Sequence, residues 1–207
     1  MALFPAFLKL AGRRCLVVGA GRVAEDKIES LLLSGADVRV VAPKATARIR
    51  AMAREKKVSL AVRPFRPSDL TGVFLLVAAT SSADLHAKIF VEARRRGILC
   101  NVVDDPEHCD FYYGAVVRRG ALQIAISTEG HSPALARRIK NQLARAFGPE
   151  YECWLAEIGR RRKELFADAT LQPGRRKTLL HQLARDASFQ EFRRRARDKP
   201  KRARKSH

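Results

Sequence analysis

The chain has 207 residues, of which 46% are hydrophobic and 30% are charged, and its formal net charge at pH 7 is +20. This length allows one sizeable domain and a smaller one. No apolar run approaches the roughly 18 residues of a membrane-spanning helix, and the first residues lack the pattern of a secretory signal, so we expect a cytoplasmic protein with no membrane partner. A chain this basic attracts polyanions, such as nucleic acid or small molecules that bear several carboxylates or phosphates.

The first predicted strand leads into a glycine-rich turn. Residues 15–18 are an uninterrupted apolar run, typical of a strand buried on both faces of a parallel sheet. Gly19, Gly21 and Ala24 follow as G-x-G-x-x-A and open an amphipathic helix whose predicted apolar face includes Val23. Such glycines permit a tight turn and let a pyrophosphate approach the backbone at the helix N-terminus. The pattern predicts a dinucleotide site; the alternative is a structural turn in another α/β protein.

Strands and helices then alternate to residue 103. Further strands are predicted at 37–42, 58–62, 73–79 and 98–103, with helices at 46–56 and 83–96. Alternation with short loops indicates right-handed βαβ units and a parallel sheet. Cys15 and Cys100 lie in predicted strands and are expected to be buried, and the four cysteines lack the spacing of a metal site.

The alternation ends at Asp104. A loop follows, and then two strands at 115–117 and 122–127 around a predicted turn at 118–120. Ser132 and Pro133 have the residue types of a helix N-cap and first turn, and this helix is predicted to end near residue 147. The chain from residue 150 is helical in pattern, with a break at 173–174.

Ligands of an open parallel sheet bind beyond the carboxyl ends of the strands. This rule selects four segments: 19–23, 43–44, 80–82 and 104–110. The hydroxyls of 80–82 suit either a cofactor or a helix start. NAD sites commonly have an acidic residue about 20 positions after the first glycine. Residues 39–44, which occupy that position here, include no acidic residue, and Arg39 and Lys44 would suit the 2′-phosphate of NADP. The pattern therefore does not decide between NAD and NADP.

Asp104 is the candidate catalytic base. It directly follows a buried strand, where its side chain would face the nicotinamide end of a bound dinucleotide. Dehydrogenation needs a hydride acceptor and a group that takes the accompanying proton, and a carboxylate partly desolvated in a cleft can take it. The alternative role is turn formation before Pro106. The run 108–110 contains His, Cys and Asp, but adjacent loop residues rarely all point towards one metal.

Five segments, in order, resemble one known family: CLVVGAGRVAEDK, VRVVAP, LLVAAT, GILCNVVDDPEHCDF and AISTEGHSPALAR. The resemblance is to the precorrin-2 dehydrogenase / sirohydrochlorin ferrochelatase family, which includes the N-terminal module of bifunctional siroheme synthases. It implies a Rossmann domain (1–113), a dimerisation segment (114–147) and a helical domain (148–192). Independently of the resemblance, the composition of residues 193–207 predicts a basic tail too charged to fold. The resemblance also implies a homodimer that uses NAD to oxidise precorrin-2 to sirohydrochlorin, and in many members ferrous iron insertion in the same cleft.

The resemblance also assigns roles to residues. Asp104 matches the aspartate used in dehydrogenation and, where present, in chelation. The cofactor positions are Gly19, Gly21, Arg22, Val23, Pro43, Lys44 and Thr80, and the tetrapyrrole positions are Ser127, Thr128 and His131. Relatives share the missing acid of the second strand, which favours NAD. The run 129–131 departs from the Gly-Gly that relatives often carry there.

The basic charge suits a polycarboxylate tetrapyrrole. The nearest arginines are Arg118, Arg119, Arg137 and Arg138, whose alternative role is an exposed surface. A different function would be an NAD-sensing regulator with a nucleic-acid-binding C-terminal region. Residues 193–207 lack interleaved aromatics and a reading helix, so we expect no specific nucleic-acid partner. A chelatase with a vestigial NAD site is a third hypothesis.

Overall fold

The computed structural model describes residues 3–198. The chain divides after Tyr113 into two compact units, 3–113 and 114–198. Within the described part, no helix has both the length and the apolar character needed to cross a membrane.

The first unit contains a parallel sheet of five strands. The strands are β1 (Arg14–Val18), β2 (Asp37–Val41), β3 (Ser59–Ala61), β4 (Leu75–Ala78) and β5 (Leu99–Val102). Their order is β3-β2-β1-β4-β5, so β1 lies between two strands that follow it in sequence, and the order reverses between β1 and β4. The predicted Rossmann-like parallel sheet is confirmed. Strand β1 begins one residue earlier than its apolar run, and the other four strands are one to three residues shorter than predicted.

Helices cover both faces of this sheet because β1 is apolar on both faces. The helices are α1 (Arg22–Leu33), α2 (Ala47–Arg54) and α3 (Ala83–Arg95). Val17 packs in one core with Ile28 of α1, whereas Leu16 packs in a second core with Ile89 of α3. Val23 is 51% exposed, so its predicted place on the apolar face of α1 is wrong; the buried face begins at Ala24.

The prediction of two buried cysteines is confirmed. Cys15 and Cys100 are both fully buried in the sheet. Burial raises the pKa of the Cys15 thiol to about 11 and that of the Cys100 thiol to about 12. Both thiols therefore stay protonated at neutral pH and act as small apolar core residues.

The second unit begins with a hairpin. Strands β6 (Ala115–Arg119) and β7 (Leu122–Ile126) pair antiparallel, with Arg119 opposite Leu122. This register leaves a two-residue loop that starts at Gly120, whose φ is +55°. The predicted turn at 118–120 is therefore misplaced, because Arg118 and Arg119 extend β6.

Four helices follow the hairpin: α4 (Pro133–Ala146), α5 (Glu150–Ala167), α6 (Pro173–Leu183) and α7 (Asp186–Asp198). The Ser132 hydroxyl accepts a hydrogen bond from the Leu135 amide and caps α4, as predicted. Arg119 donates from Nε to the Phe147 carbonyl and from Nη2 to the Ala144 carbonyl, both at 2.8 Å. Its guanidinium therefore binds the C-terminal end of α4, where positive charge is favoured.

Helix α7 corrects the predicted start of the basic tail at residue 193, because it continues to Asp198. Arg195 pairs with Glu191 one turn earlier, at 3.7 Å, and with Glu157 of α5, at 3.4 Å. Phe189 is 7% exposed and lies against the rings of α5. These contacts stabilise a helical end in a strongly charged sequence; residues 199–207 of the predicted tail lie outside the described residues.

Two glycines of the opening motif have different surroundings. Gly19 has a φ of +107°, and a Cβ added there would overlap the Ala79 carbonyl at the end of β4. Gly21 has a φ of −86°, and an added Cβ would meet nothing within 4 Å. The fold itself requires glycine at position 19 and leaves position 21 open.

We therefore expect unequal effects from two alanine substitutions. Gly19→Ala should lower the free energy of unfolding by about 2–5 kcal/mol, because it adds backbone strain and a clash. Gly21→Ala should cost less than about 1 kcal/mol, the size of a helix-cap effect. Urea denaturation of both variants measures this difference, and equal losses would contradict the assigned contact between β1 and β4.

Candidate dinucleotide site

The carboxyl ends of β1, β2 and β4 hold the glycine turn from both sides. The Gly19 amide donates to the Val41 carbonyl at the end of β2 (2.9 Å), and the Thr46 amide donates to the Ala20 carbonyl (3.1 Å). On the other side Gly19 lies against the Ala79 carbonyl. The turn is thereby fixed at the point where the strand order reverses, which is where open α/β sheets bind ligands.

The N-terminus of α1 has no capping side chain. The N-cap residues of α2 and α3 are Thr46 and Ser82, whose hydroxyls accept from backbone amides of the first turn. The N-cap residue of α1 is instead Gly21, which has no side chain to cap the helix, and Arg22 and Val23 after it are exposed. An uncapped first turn with open space beside the backbone fits a phosphate-bearing ligand.

Three other predicted cofactor residues lie at neighbouring strand ends. Pro43 and Lys44 are exposed directly after β2, and Thr80 is half-buried after β4. The Thr80 hydroxyl accepts from the Ser82 amide (3.3 Å), and the Ser82 hydroxyl in turn accepts from the Leu85 amide (3.4 Å). Ser82 is thus the N-cap of α3, and Thr80 supports the turn before it.

Asp104 occupies an unusual backbone conformation after β5. The Asp105 amide donates to the Val102 carbonyl (3.3 Å), which closes a four-residue turn, and Asp104 has a φ of +61° inside it. Aspartate is one of the few non-glycine residues that adopt this region readily. The residue is exposed, so the expected partial desolvation of its carboxylate does not come from this unit of the chain.

The structure adds Lys27 to the surroundings of Asp104. This half-buried lysine of α1 places its Nζ 3.8 Å from the centre of the Tyr113 ring. Burial lowers its pKa, and the Asp26 and Asp104 carboxylates act in the opposite direction. We did not predict it as a site residue; its signal in the sequence is a lysine next to Ile28 on the apolar side of an amphipathic helix.

His108, Cys109 and Asp110 bind different partners. The Cys109 thiol donates to the Val102 carbonyl (3.1 Å), and the Asp110 carboxylate accepts from the Cys100 amide (3.0 Å). Across residues 3–198, no three His, Cys, Asp or Glu side chains form a group that could hold a metal ion.

The predicted tetrapyrrole residues lie in one turn of the second unit, between β7 and α4. Ser127 accepts from the Glu129 amide through its hydroxyl (3.1 Å). The Thr128 carbonyl accepts from the His131 amide (2.8 Å), and the Thr128 hydroxyl accepts from the Ser132 amide (3.3 Å). Ser127 and His131 are exposed and Thr128 is half-buried, and Arg137 and Arg138 are exposed on α4.

Two protein-family models match the chain. A family described as putative NAD(P)-binding matches residues 6–115, which is more than half of the chain. A family described as sirohaem biosynthesis protein central matches residues 119–146. Neither description mentions nucleic acid, and nothing in these matches supports an NAD-sensing regulator.

Curated relatives and a solved structure agree with these models. The siroheme synthase of Neisseria meningitidis is 42% identical over 149 residues, which is 72% of this chain and 31% of that protein. The siroheme synthase of Methylococcus capsulatus is 41% identical over 143 residues, 69% of this chain and 30% of that protein. The chain therefore spans less than a third of the length of these relatives.

The structure of "SirC, precorrin-2 dehydrogenase" matches over 93% of this chain and 98% of its own, with a TM-score of 0.77 and 28% identity. This likeness extends through both units, beyond the NAD(P)-binding match. The resemblance indicated by the sequence motifs is confirmed by the likeness to siroheme synthases and to SirC, and the chain belongs to the family described as putative NAD(P)-binding.

Proposed function

We propose that this protein is an NAD-dependent dehydrogenase that oxidises precorrin-2 to sirohydrochlorin. The observation that carries the proposal is the likeness to SirC, which covers nearly the whole of both chains. The geometry of the glycine turn supports it, because Gly19 and Gly21 present an uncapped helix N-terminus at the reversal of strand order.

Residues of the first unit would have different roles in such a site. The first turn of α1 would hold the diphosphate through backbone amides, with Arg22 and Val23 beside it. Pro43 and Lys44 would face the adenosine end, and Thr80 would lie nearer the nicotinamide. When bound, NAD supplies the acceptor for the hydride. Asp104 would take the proton that leaves the substrate with that hydride.

We favour NAD over NADP as part of this proposal. Arg39 is half-buried on β2, and its charge helps to lower the pKa of Asp69. Lys44 is exposed, three residues after the end of β2. A single flexible ammonium is a weaker 2′-phosphate site than an arginine fork.

The second unit would contribute the substrate-binding turn and the dimer contact. The buried apolar residues within 114–196 are Val117, Ala136 and Phe189, while Leu135 and Phe166 remain exposed. Because this unit buries so few apolar residues by itself, we propose that a second copy of the chain packs against it and enlarges the core. The tetrapyrrole would be contacted by Ser127, Thr128 and His131, with Arg137 and Arg138 near its carboxylates.

The free cysteines of the described residues are typical of a cytoplasmic protein.

Ferrous iron, if inserted, would be a substrate delivered to the tetrapyrrole. Metal insertion displaces two pyrrole protons, and Asp104 could accept one of them. The same purified protein can be given sirohydrochlorin with ferrous iron, so that this step is measured separately from the dehydrogenation.

The cofactor position predicts a loss of NAD binding in Gly21→Asp. Aspartate is a good N-cap, so stability should stay within about 0.5 kcal/mol, but its charge opposes the diphosphate. The Kd for NAD, measured by calorimetry, should rise at least about tenfold. Gly21→Ser caps the helix without a charge and should bind more tightly than Gly21→Asp; equal affinities of Gly21→Asp and wild type would place the diphosphate elsewhere.

The proposed base predicts a selective loss of turnover in Asp104→Asn. Asparagine tolerates the same φ and nearly the same shape, so the turn and NAD binding should persist. The rate of precorrin-2 oxidation, followed by NADH absorbance, should fall about 100-fold or more. Glu107→Gln removes an exposed charge three residues away and is the matched control. Full turnover by Asp104→Asn would remove Asp104 from the mechanism.

The small core of the second unit predicts a dimer in solution. Sedimentation equilibrium should give twice the 23.2 kDa mass of one chain. A variant in which exposed Leu135 is changed to Asp should shift the distribution towards monomer if α4 lies in the contact. A wild-type mass of one chain across micromolar concentrations would contradict the proposed homodimer.

A further inference from the structure

A buried histidine lies between the turns that follow β4 and β5. His86, in the first turn of α3, is 8% exposed. Its Nε2 is 3.0 Å from the Thr80 carbonyl oxygen, and its Nδ1 is 4.0 Å from Oδ2 of Asp105. The same carboxylate oxygen is 2.8 Å from Nδ1 of His108. One side chain of α3 thus faces both strand ends.

The acceptors determine where the protons lie. A carbonyl oxygen only accepts, so Nε2 of His86 carries the hydrogen and donates it to Thr80. The Asp105 carboxylate likewise only accepts, so Nδ1 of His108 donates to it. The His108 ring also packs edge-on against Phe90 of α3, with 5.0 Å between ring centres. Phe90 of α3 therefore holds this turn through His108. The ring of His86 lies beside Asp105 in packing contact, because 4.0 Å is longer than a hydrogen bond.

Both turns carry residues of the proposed site. Thr80 follows Ala79, whose carbonyl lies against Gly19. Asp105 follows Asp104 and donates the amide hydrogen bond that closes the turn around it. A shift of either turn would change the distance between the nicotinamide end of the site and the proposed base, and small misplacements are costly in catalysis.

We infer that His86 is a positioning residue, which fixes the Thr80 turn by a direct hydrogen bond and the Asp104 turn by packing of its ring beside Asp105. It contacts neither proposed ligand and acts through these two neighbours. This inference rests on the proposed function for its effect on turnover. The coupling between the two turns can be measured with no ligand present.

Two substitutions separate the two contacts. His86→Leu removes both the bond to Thr80 and the ring that packs beside Asp105. His86→Gln can place its amide nitrogen where Nε2 lies and donate to Thr80, but it loses the ring that faces Asp105. His181→Leu, at an exposed histidine of α6, is the matched control.

Amide hydrogen exchange, followed by NMR, tests the coupling in the ligand-free chain. In His86→Leu the amides of Ser82, Asp105 and His108 should all exchange at least about tenfold faster than in wild type. In His86→Gln the Ser82 amide should stay near the wild-type rate, while Asp105 and His108 exchange faster. Unchanged exchange in either turn of His86→Leu would overturn the inference, as would identical behaviour of the Leu and Gln variants.

Kinetics then link the coupling to the site. His86→Leu should raise the KM for NAD and lower kcat, each by about tenfold, whereas His86→Gln should restore KM and leave kcat low. A uniform loss of active protein, as from poor folding, would lower kcat in both variants and leave KM unchanged, and would overturn the assigned role. Absence of turnover in wild type would instead defeat the proposed function, and the exchange experiment would still decide whether His86 couples the turns.

Discussion

The site depends on one close contact between backbones, at the junction of β1 and β4. These strands are neighbours in the sheet but are separated in sequence by two other strands. Gly19 lies so near the Ala79 carbonyl that no side chain fits between them. This contact sets the direction of α1, and its first turn then opens at the reversal of strand order. Every proposed cofactor residue lies on a segment that leaves this junction or an adjacent strand end.

The rest of the first unit holds that junction in place by burial. Val17 and Leu16 face opposite cores, so β1 is stabilised by helices on both sides. Cys15 and Cys100 fill small apolar spaces in the core. Burial raises the pKa of both thiols, so they remain neutral inside the sheet. A rigid sheet with exposed turns at one edge places reactive side chains on a fixed frame. The proposed roles of Thr80 and Asp104 require such a frame.

Features encoded by neighbouring residues could be predicted from the sequence. The glycine turn, the buried strand before it and the Ser132 cap each depend on residues within a few positions, so composition and spacing revealed them. Strand ends were placed less accurately, because pairing decides them and the pairing partner is distant in sequence. The true end of β6 is an example, since the register with β7 determines it.

Features that depend on distant partners could not be predicted. Arg119 is a candidate for substrate binding by its sequence position, yet the carbonyls it contacts belong to residues 25 and 28 positions later. Lys27 and His86 read as ordinary helix residues until the turn after β5 is placed near them. The end of α7, from residue 193, reads as a charged tail because its partner Glu157 lies on another helix. The likeness to SirC supports the order of the elements.

The most direct test is a crystal structure of the chain grown with NAD. The account predicts that the diphosphate lies within hydrogen-bond distance of the Arg22 and Val23 amides, against Gly21. It also predicts that the nicotinamide ring points towards the turn that carries Asp104. A dinucleotide bound away from Gly21, or a ring directed away from Asp104, would contradict it.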